Sequence, residues 1–247
     1  MTTTLTTGAA VRAHRALKVY GSGENAVTAL DNVSLDVPDG QFLAVMGPSG
    51  SGKSTLLHCL AGLDSLSAGE IFIGDSELGR LSERQLTRLR RDRIGFVFQA
   101  FNLLPTLSAL DNITLPATLA GAAPDRDWLE SVIDTVGLSG RLSHRPAELS
   151  GGQQQRVAVA RALVNQPDIV FADEPTGNLD SRSGADVLRL LRDARDTLDQ
   201  TIVMVTHDPV AASYADTAVF LADGHLAGSL ERPTAPAVLD YLKTLEG

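Results

Sequence analysis

The stretch Gly47-Pro48-Ser49-Gly50-Ser51-Gly52-Lys53-Ser54 constrains the fold of this chain more than any other. Before it runs the short, wholly apolar Phe42 to Met46; after it, Lys53 to Ala61 has helical character. The order predicted is therefore strand, glycine loop, helix, which is the context that gives the Gly, four residues, Gly-Lys-Ser spacing its meaning as a phosphate loop. Glycines let successive backbone N–H groups turn inward as an anion nest, and the helix N-terminus adds positive dipole at the same point. Lys53 then reaches the β- and γ-phosphates of a nucleotide. Ser54, followed by Thr55, offers a hydroxyl to Mg²⁺, which takes oxygen ligands alongside nucleotide phosphates. Lysine is scarce here: Lys18, Lys53 and Lys243 stand against eighteen arginines, so a lysine inside a motif is seldom casual.

A second acidic site is expected at Ile169-Val170-Phe171-Ala172-Asp173-Glu174, an apolar strand ending in two carboxylates. Ligands of α/β sheets bind at such strand ends. Consecutive strand residues point opposite ways, which assigns Asp173 to the metal and Glu174 to the attacking water. Ile169 to Ala172 and Thr201 to Val205 lack the alternation of half-exposed strands. Strands buried on both faces imply a parallel sheet covered by helices.

Composition narrows the rest. Hydrophobic residues make up 43% and charged residues 21%, which fits a folded globular chain. The net charge of −9 works against phosphate backbones, so nucleic acid is disfavoured as a partner. No window approaches the roughly 20 apolar residues of a membrane-spanning helix, so a membrane link is expected only through a partner. Cys59 is the single cysteine, read as a small core residue in a reducing compartment.

Along the chain, residues 1–12 read as a loose tail and 13–247 as one nucleotide-binding domain. Ala16 to Val37 suggests an antiparallel β layer, and about 101–150 an inserted helical lobe that includes Asp127 to Val136 capped by Gly137. Arg80 to Arg93 holds six arginines; it reads as a solvated helix face or a partner-docking surface. After His207, one helix, a short strand at Ala218 to Leu221 and an amphipathic stretch at Ala235 to Leu245 are expected.

Leu149-Ser150-Gly151-Gly152-Gln153-Gln154-Gln155-Arg156 precedes an apolar-periodic helix, with Ser150 as its N-cap. It makes a second anion site where one chain needs only one. This segment resembles the signature motif of ATP-binding cassette (ABC) ATPases, and with the two motifs above the resemblance extends over nearly the whole chain from about Ala16. It implies an α/β P-loop NTPase core with a mostly parallel sheet, an N-terminal antiparallel β layer and an inserted α-helical subdomain. It also implies ATP and Mg²⁺ as ligands and a head-to-tail dimer. In such a dimer each ATP lies between one subunit's phosphate loop (Gly47, Pro48, Ser49, Gly50, Ser51, Gly52, Lys53, Ser54, Thr55) and the other's Ser150, Gly151, Gly152 and Gln153.

Further roles follow from the same resemblance. Tyr20 matches the aromatic that stacks on adenine. Gln99, in Phe96-Val97-Phe98-Gln99, matches the glutamine that touches Mg²⁺ and the water, so that Ser54, Gln99 and Asp173 form the metal set. His207 matches the switch histidine at the γ-phosphate, completing a catalytic group with Glu174 and Gln99. Asp180, in Asn178-Leu179-Asp180, matches the loop that crosses the dimer interface. The motifs together are similar to bacterial ATPases of the macrolide-exporter and lipoprotein-release branch, although Leu66-Ser67-Ala68-Gly69 lacks a proline often found at that turn. An integral membrane permease is thereby implied as a separate partner, holding the chain at the cytoplasmic face of the membrane. Phe101 and Leu103 either contact that permease or fill the lobe's core. A non-transport ABC ATPase of cell-division type shares every one of these motifs.

Overall fold

The short apolar runs of the sequence become the central strands of a sheet. The computed structural model describes residues 8–245, apart from the Glu24 side chain. In chain order its first half contains strands β1 (Ala9–Tyr20), β2 (Val27–Pro38) and β3 (Phe42–Met46), helix α1 (Lys53–Leu60), strands β4 (Ala68–Ile73) and β5 (Ser76–Glu77), helix α2 (Glu83–Arg93) and strand β6 (Ile94–Phe98). Helices α3 (Ala109–Leu119), α4 (Arg126–Val136) and α5 (Gly151–Leu163) follow, then β7 (Ile169–Asp173), α6 (Ser181–Leu198), β8 (Thr201–Val205), α7 (Pro209–Ala212), β9 (Thr217–Ala222), β10 (His225–Glu231) and α8 (Ala235–Leu245).

Two sheets result. The larger has the order β10-β9-β3-β8-β7-β6, parallel from β9 to β6 and closed at one edge by the antiparallel β10. The smaller, antiparallel throughout, has the order β2-β1-β4-β5. Strand alternation splits the apolar runs between two cores. Phe42, Ala44 and Met46 of β3, Val170 and Ala172 of β7, and Ile202 and Met204 of β8 face α3 to α8. Leu43, Val45, Ile169, Phe171, Val203 and Val205 face α1, α2 and the small sheet. Each fully buried Phe, Leu or Ile contributes about 1.5–3 kcal/mol, and burial on both faces is why these runs carry no polar alternation.

The structure corrects three expectations. Residues 1–7 lie outside the described residues, but Ala9–Arg12 pair with β2, so these are strand rather than tail. The β layer also recruits β4 and β5 from beyond the glycine loop. The strand β10 lies between the short strand and the final helix expected from sequence, and it gives β9 a partner on its outer side. In the lobe region α3 and α4 pack on α5, with Gly137 a left-handed C-cap for α4. Arginines of Arg80 to Arg93 are largely paired: Arg80 with Glu77, Arg88 and Arg91 with Asp92, and Arg93 with Asp168. That pairing favours the solvated-face reading for these four arginines, whereas Arg90 donates to the Gly62 carbonyl at 3.2 Å.

Candidate functional site

Four parallel strands end level with one another. In the register Phe98 of β6 is opposite Asp173 of β7, which is opposite Val205 of β8, itself opposite Val45 of β3. The residues that follow each strand, Gly47, Gln99, Glu174 and Thr206-His207, therefore gather at the carboxyl edge of the sheet, the edge where open α/β sheets take ligands.

The turn out of β3 is possible only for glycine at its two ends. Gly47 has φ 144°, and a Cβ there would run into the Leu221 carbonyl; Gly52 has φ 100°, and a Cβ there would run into the Ala29 carbonyl. Gly52 is the left-handed N-cap of α1 with no side-chain cap, and no acidic residue stands in the first turn. The helix start thus presents N–H groups and positive dipole to an anion. Pro48 and Thr55 are half-buried, while Ser49, Gly50 and Ser54 are exposed along the loop. The Ser51 hydroxyl is buried beside Gly47 with no protein partner. Lys53 Nζ donates to the Pro48 carbonyl at 2.7 Å, arching over the loop. Burial pushes its pKa down, while Glu174 and Asp173 work to raise it.

β7 ends at Asp173, and Glu174 lies just past the end of the strand. Glu174 has left-handed backbone, φ 47°, directly before Pro175, and its N–H donates to the Val205 carbonyl at 3.0 Å. The backbone at Glu174 is thus a left-handed turn just past the strand, not the extended residue the sequence implies. Glu174 Oε1 lies 2.8 Å from His207 Nδ1. Asp173 stays half-buried with His58 Nε2 at 4.0 Å; burial raises its pKa, opposed by His58 and then Lys53. Gln99 Nε2 donates to Asn178 Oδ1 at 3.2 Å, and Asn178 Nδ2 donates back to the Gln99 carbonyl at 3.0 Å.

The donor set at this edge fits Mg²⁺. A hydroxyl at Ser54, a carboxylate at Asp173 and an amide at Gln99 are too few for an all-protein cage, and Mg²⁺ keeps waters and phosphate oxygens in its shell. Among the described residues no group of three or more His, Cys, Asp or Glu is assembled for a metal.

The remaining residues singled out from sequence take distinct places. Ser150 caps α5, accepting from the Gln153 N–H in a capping box. Gly151 packs against Leu179 and Phe101, and Gly152 against Ser183, so the signature segment neighbours the 178–180 loop. Asp180 caps α6, accepting from the N–H groups of Arg182 and Ser183. Tyr20 ends β1 partly exposed; its hydroxyl donates to Asp64 Oδ2 at 2.7 Å and the Lys18 ammonium lies 4.7 Å from its ring centroid. Leu103 packs on the main core, whereas Leu104 is exposed. Burial raises the Cys59 pKa to about 11, as suits a core thiol.

Asn178, and His58 one helical turn after Ser54, also stand at this edge; in the sequence they are marked only as polar residues inside or beside motifs.

The family model for ABC transporters matches residues 30–177. The chain belongs to the ABC transporter family. It is 44% identical over 233 residues to a macrolide export ATP-binding/permease protein MacB of Burkholderia pseudomallei, covering 94% of this chain and 36% of that protein. The chain thus spans about a third of the length of the macrolide-export relatives it matches. An ABC transporter ATP-binding protein of Thermotoga maritima is 46% identical over 213 residues, 85% of this chain and 91% of the relative. The ATP-binding cassette MJ0796, solved as a dimer in a post-hydrolysis state with ADP and Pi, superposes with a TM-score of 0.79 at 40% identity, covering 90% of this chain and 98% of that one. The α/β core, the small antiparallel sheet and the helices between β6 and β7 described above are accordingly those of an ABC cassette. No described helix of this ABC protein is long and apolar enough to cross a membrane.

Proposed function

We propose that this chain binds and hydrolyses ATP as the motor subunit of an ABC transporter. Two copies pair head to tail around two nucleotides and drive a membrane permease, in export or in extrusion of a lipid, lipoprotein, peptide or drug. The observation that carries this reading is the contact of Glu174 Oε1 with His207 Nδ1, 2.8 Å, on the strand edge that also carries the phosphate loop.

In this reading the N–H groups from Gly47 to Thr55 and the Lys53 ammonium hold the phosphates, and Tyr20 stacks on adenine. Ser54, Asp173 and Gln99 hold Mg²⁺, whose charge offsets that of the phosphoryl oxygens when it is bound. Glu174 orients and deprotonates the attacking water, and His207 keeps its carboxylate in place and meets the γ-phosphate. Ser150, Gly151, Gly152 and Gln153 of the second copy close the nucleotide with the N-terminus of their helix, and Asp180 stands where the copies meet. The dimeric relative with ADP and Pi supports the pairing, and the joined ATP-binding and permease parts of the macrolide-export relative support the partner.

For the permease, a groove of about 330 Å³ lined by Arg90, Phe96, Phe98, Asn102, Pro116 and Arg161 is the receiving surface, with Leu104 as its exposed apolar neighbour. Arg161 donates to the carbonyls of Phe101 at 3.0 Å and Asn102 at 2.6 Å, so movement in this groove reaches the segment after Gln99. Phosphate release from ATP by the purified chain tests the reading. Mg²⁺-dependent turnover that rises more steeply than linearly with protein concentration is expected, and no turnover at any concentration contradicts it.

A further inference from the structure

Gln155 lies one turn into α5 and is 0% exposed. Its Nε2 donates to two carbonyls, Phe98 at 3.1 Å and Pro175 at 2.6 Å. Phe98 directly precedes Gln99, and Pro175 directly follows Glu174. The β6–β7 ladder ends at the pair Phe98 and Asp173. The glutamine amide bridges the strands just past that last pair. Both hydrogens of its nitrogen are used, whereas Oε1 is buried with no partner. The partners fix the amide orientation, since a reversed amide would set its oxygen against two carbonyls. A buried acceptor without a donor is unfavourable, so packing alone would favour an apolar side chain here. What the glutamine supplies is the double donor.

We propose that Gln155 is a positioning residue for hydrolysis: through the Phe98 and Pro175 carbonyls it fixes Gln99 and Glu174 relative to each other and ties both to the helix whose N-terminus carries Ser150. In a head-to-tail dimer that helix faces the partner's nucleotide, whereas Gln99 and Glu174 face the chain's own. Gln155 is then the rigid link by which closure at one nucleotide is registered at the other. The inference rests on the function proposed above.

The fold supplies its own control. Gln200 is 4% exposed, and its Nε2 also donates to two carbonyls, Pro167 at 3.0 Å and Thr201 at 3.3 Å, at the opposite ends of β7 and β8 from the site. Gln155→Met and Gln200→Met each remove a double donor at nearly constant volume. Gln155→Met should lower kcat by about 10- to 100-fold, as misplaced catalytic groups do, with KM for ATP within about threefold of wild type. Gln200→Met should lower Tm to a similar extent while kcat stays within about twofold. If Gln155→Met does not fold, Gln155→Asn, which keeps the amide but shortens its reach, should show the same split. A kcat for the folded Gln155 variant within about twofold of wild type, or a loss equalled by Gln200→Met, overturns the proposal. Wild type measured alongside separates the two ideas: no wild-type turnover overturns the functional reading and the proposal together, whereas turnover by both wild type and the Gln155 variant overturns the proposal alone.

Discussion

Glu174 Oε1 and His207 Nδ1 lie 2.8 Å apart where two backbone features coincide: residue 174 is left-handed just past the end of β7, and β8 ends level with β7. A non-glycine residue in that conformation carries strain of about 1–2 kcal/mol, and strain of this kind gathers at functional sites. Glu174→Gln keeps the shape and removes the base. It should lower kcat by about 10²- to 10⁴-fold, the usual worth of a general base, while ATP still binds. His207→Ala leaves the base but not its orientation and should fall between this variant and wild type. Steady-state phosphate release decides the matter, and a Glu174→Gln enzyme turning over at the wild-type rate removes Glu174 from the chemistry.

Lys53 presents a different test, since its ammonium must exchange the Pro48 carbonyl for phosphate oxygens. A hydrogen bond to a charged group is worth about 1.5–3 kcal/mol, so Lys53→Ala should weaken ATP binding by roughly 10- to 100-fold. A fluorescence or calorimetric titration reads this directly. Unchanged affinity would mean that the loop does not hold the nucleotide as described.

Stability should show its own pH signature through Asp216. Burial works to raise its pKa, but the Phe42 N–H and the guanidiniums of Arg192 and Arg195 outweigh it and hold the carboxyl below its ordinary value. A depressed folded pKa gives stability that is fully present above the unfolded value, about 3.9, and lost as pH falls through the lower folded value. Asp216→Asn should therefore cost about 1–3 kcal/mol at pH 7. The gap in Tm between variant and wild type should narrow below about pH 4. A gap that does not change with pH would show that the ion pairs contribute little.

How much of this is legible in the sequence depends on what each residue answers to. The order of strand, glycine loop and helix is local, and so is the cap at Ser150; both are written in consecutive residues and both stand in the structure. The buried parallel strands announced themselves because both faces are apolar. The Glu174 turn did not: a residue before proline is expected to be extended, whereas Glu174 is left-handed and bonded to Val205 across the sheet. The strand β10 was hidden for a similar reason. His225–Glu231 is exposed at alternate positions, contains Gly228, and gains its identity from pairing with β9. Gln155 looked like one more polar residue in a run of three, and nothing in the sequence says which of them is turned into the core.

The central claim, that ATP is held between two copies of this chain, is tested most directly by the mass of the Glu174→Gln protein measured by gel filtration with light scattering, with and without ATP and Mg²⁺. Monomer without nucleotide and dimer with it are predicted. Adding Ser150→Arg, which loses a helix cap worth about 1 kcal/mol and crowds the facing nucleotide, should return the protein to monomer while ATP still binds. A Glu174→Gln protein that binds ATP and stays monomeric at every concentration, or a dimer indifferent to Ser150→Arg, would contradict the account.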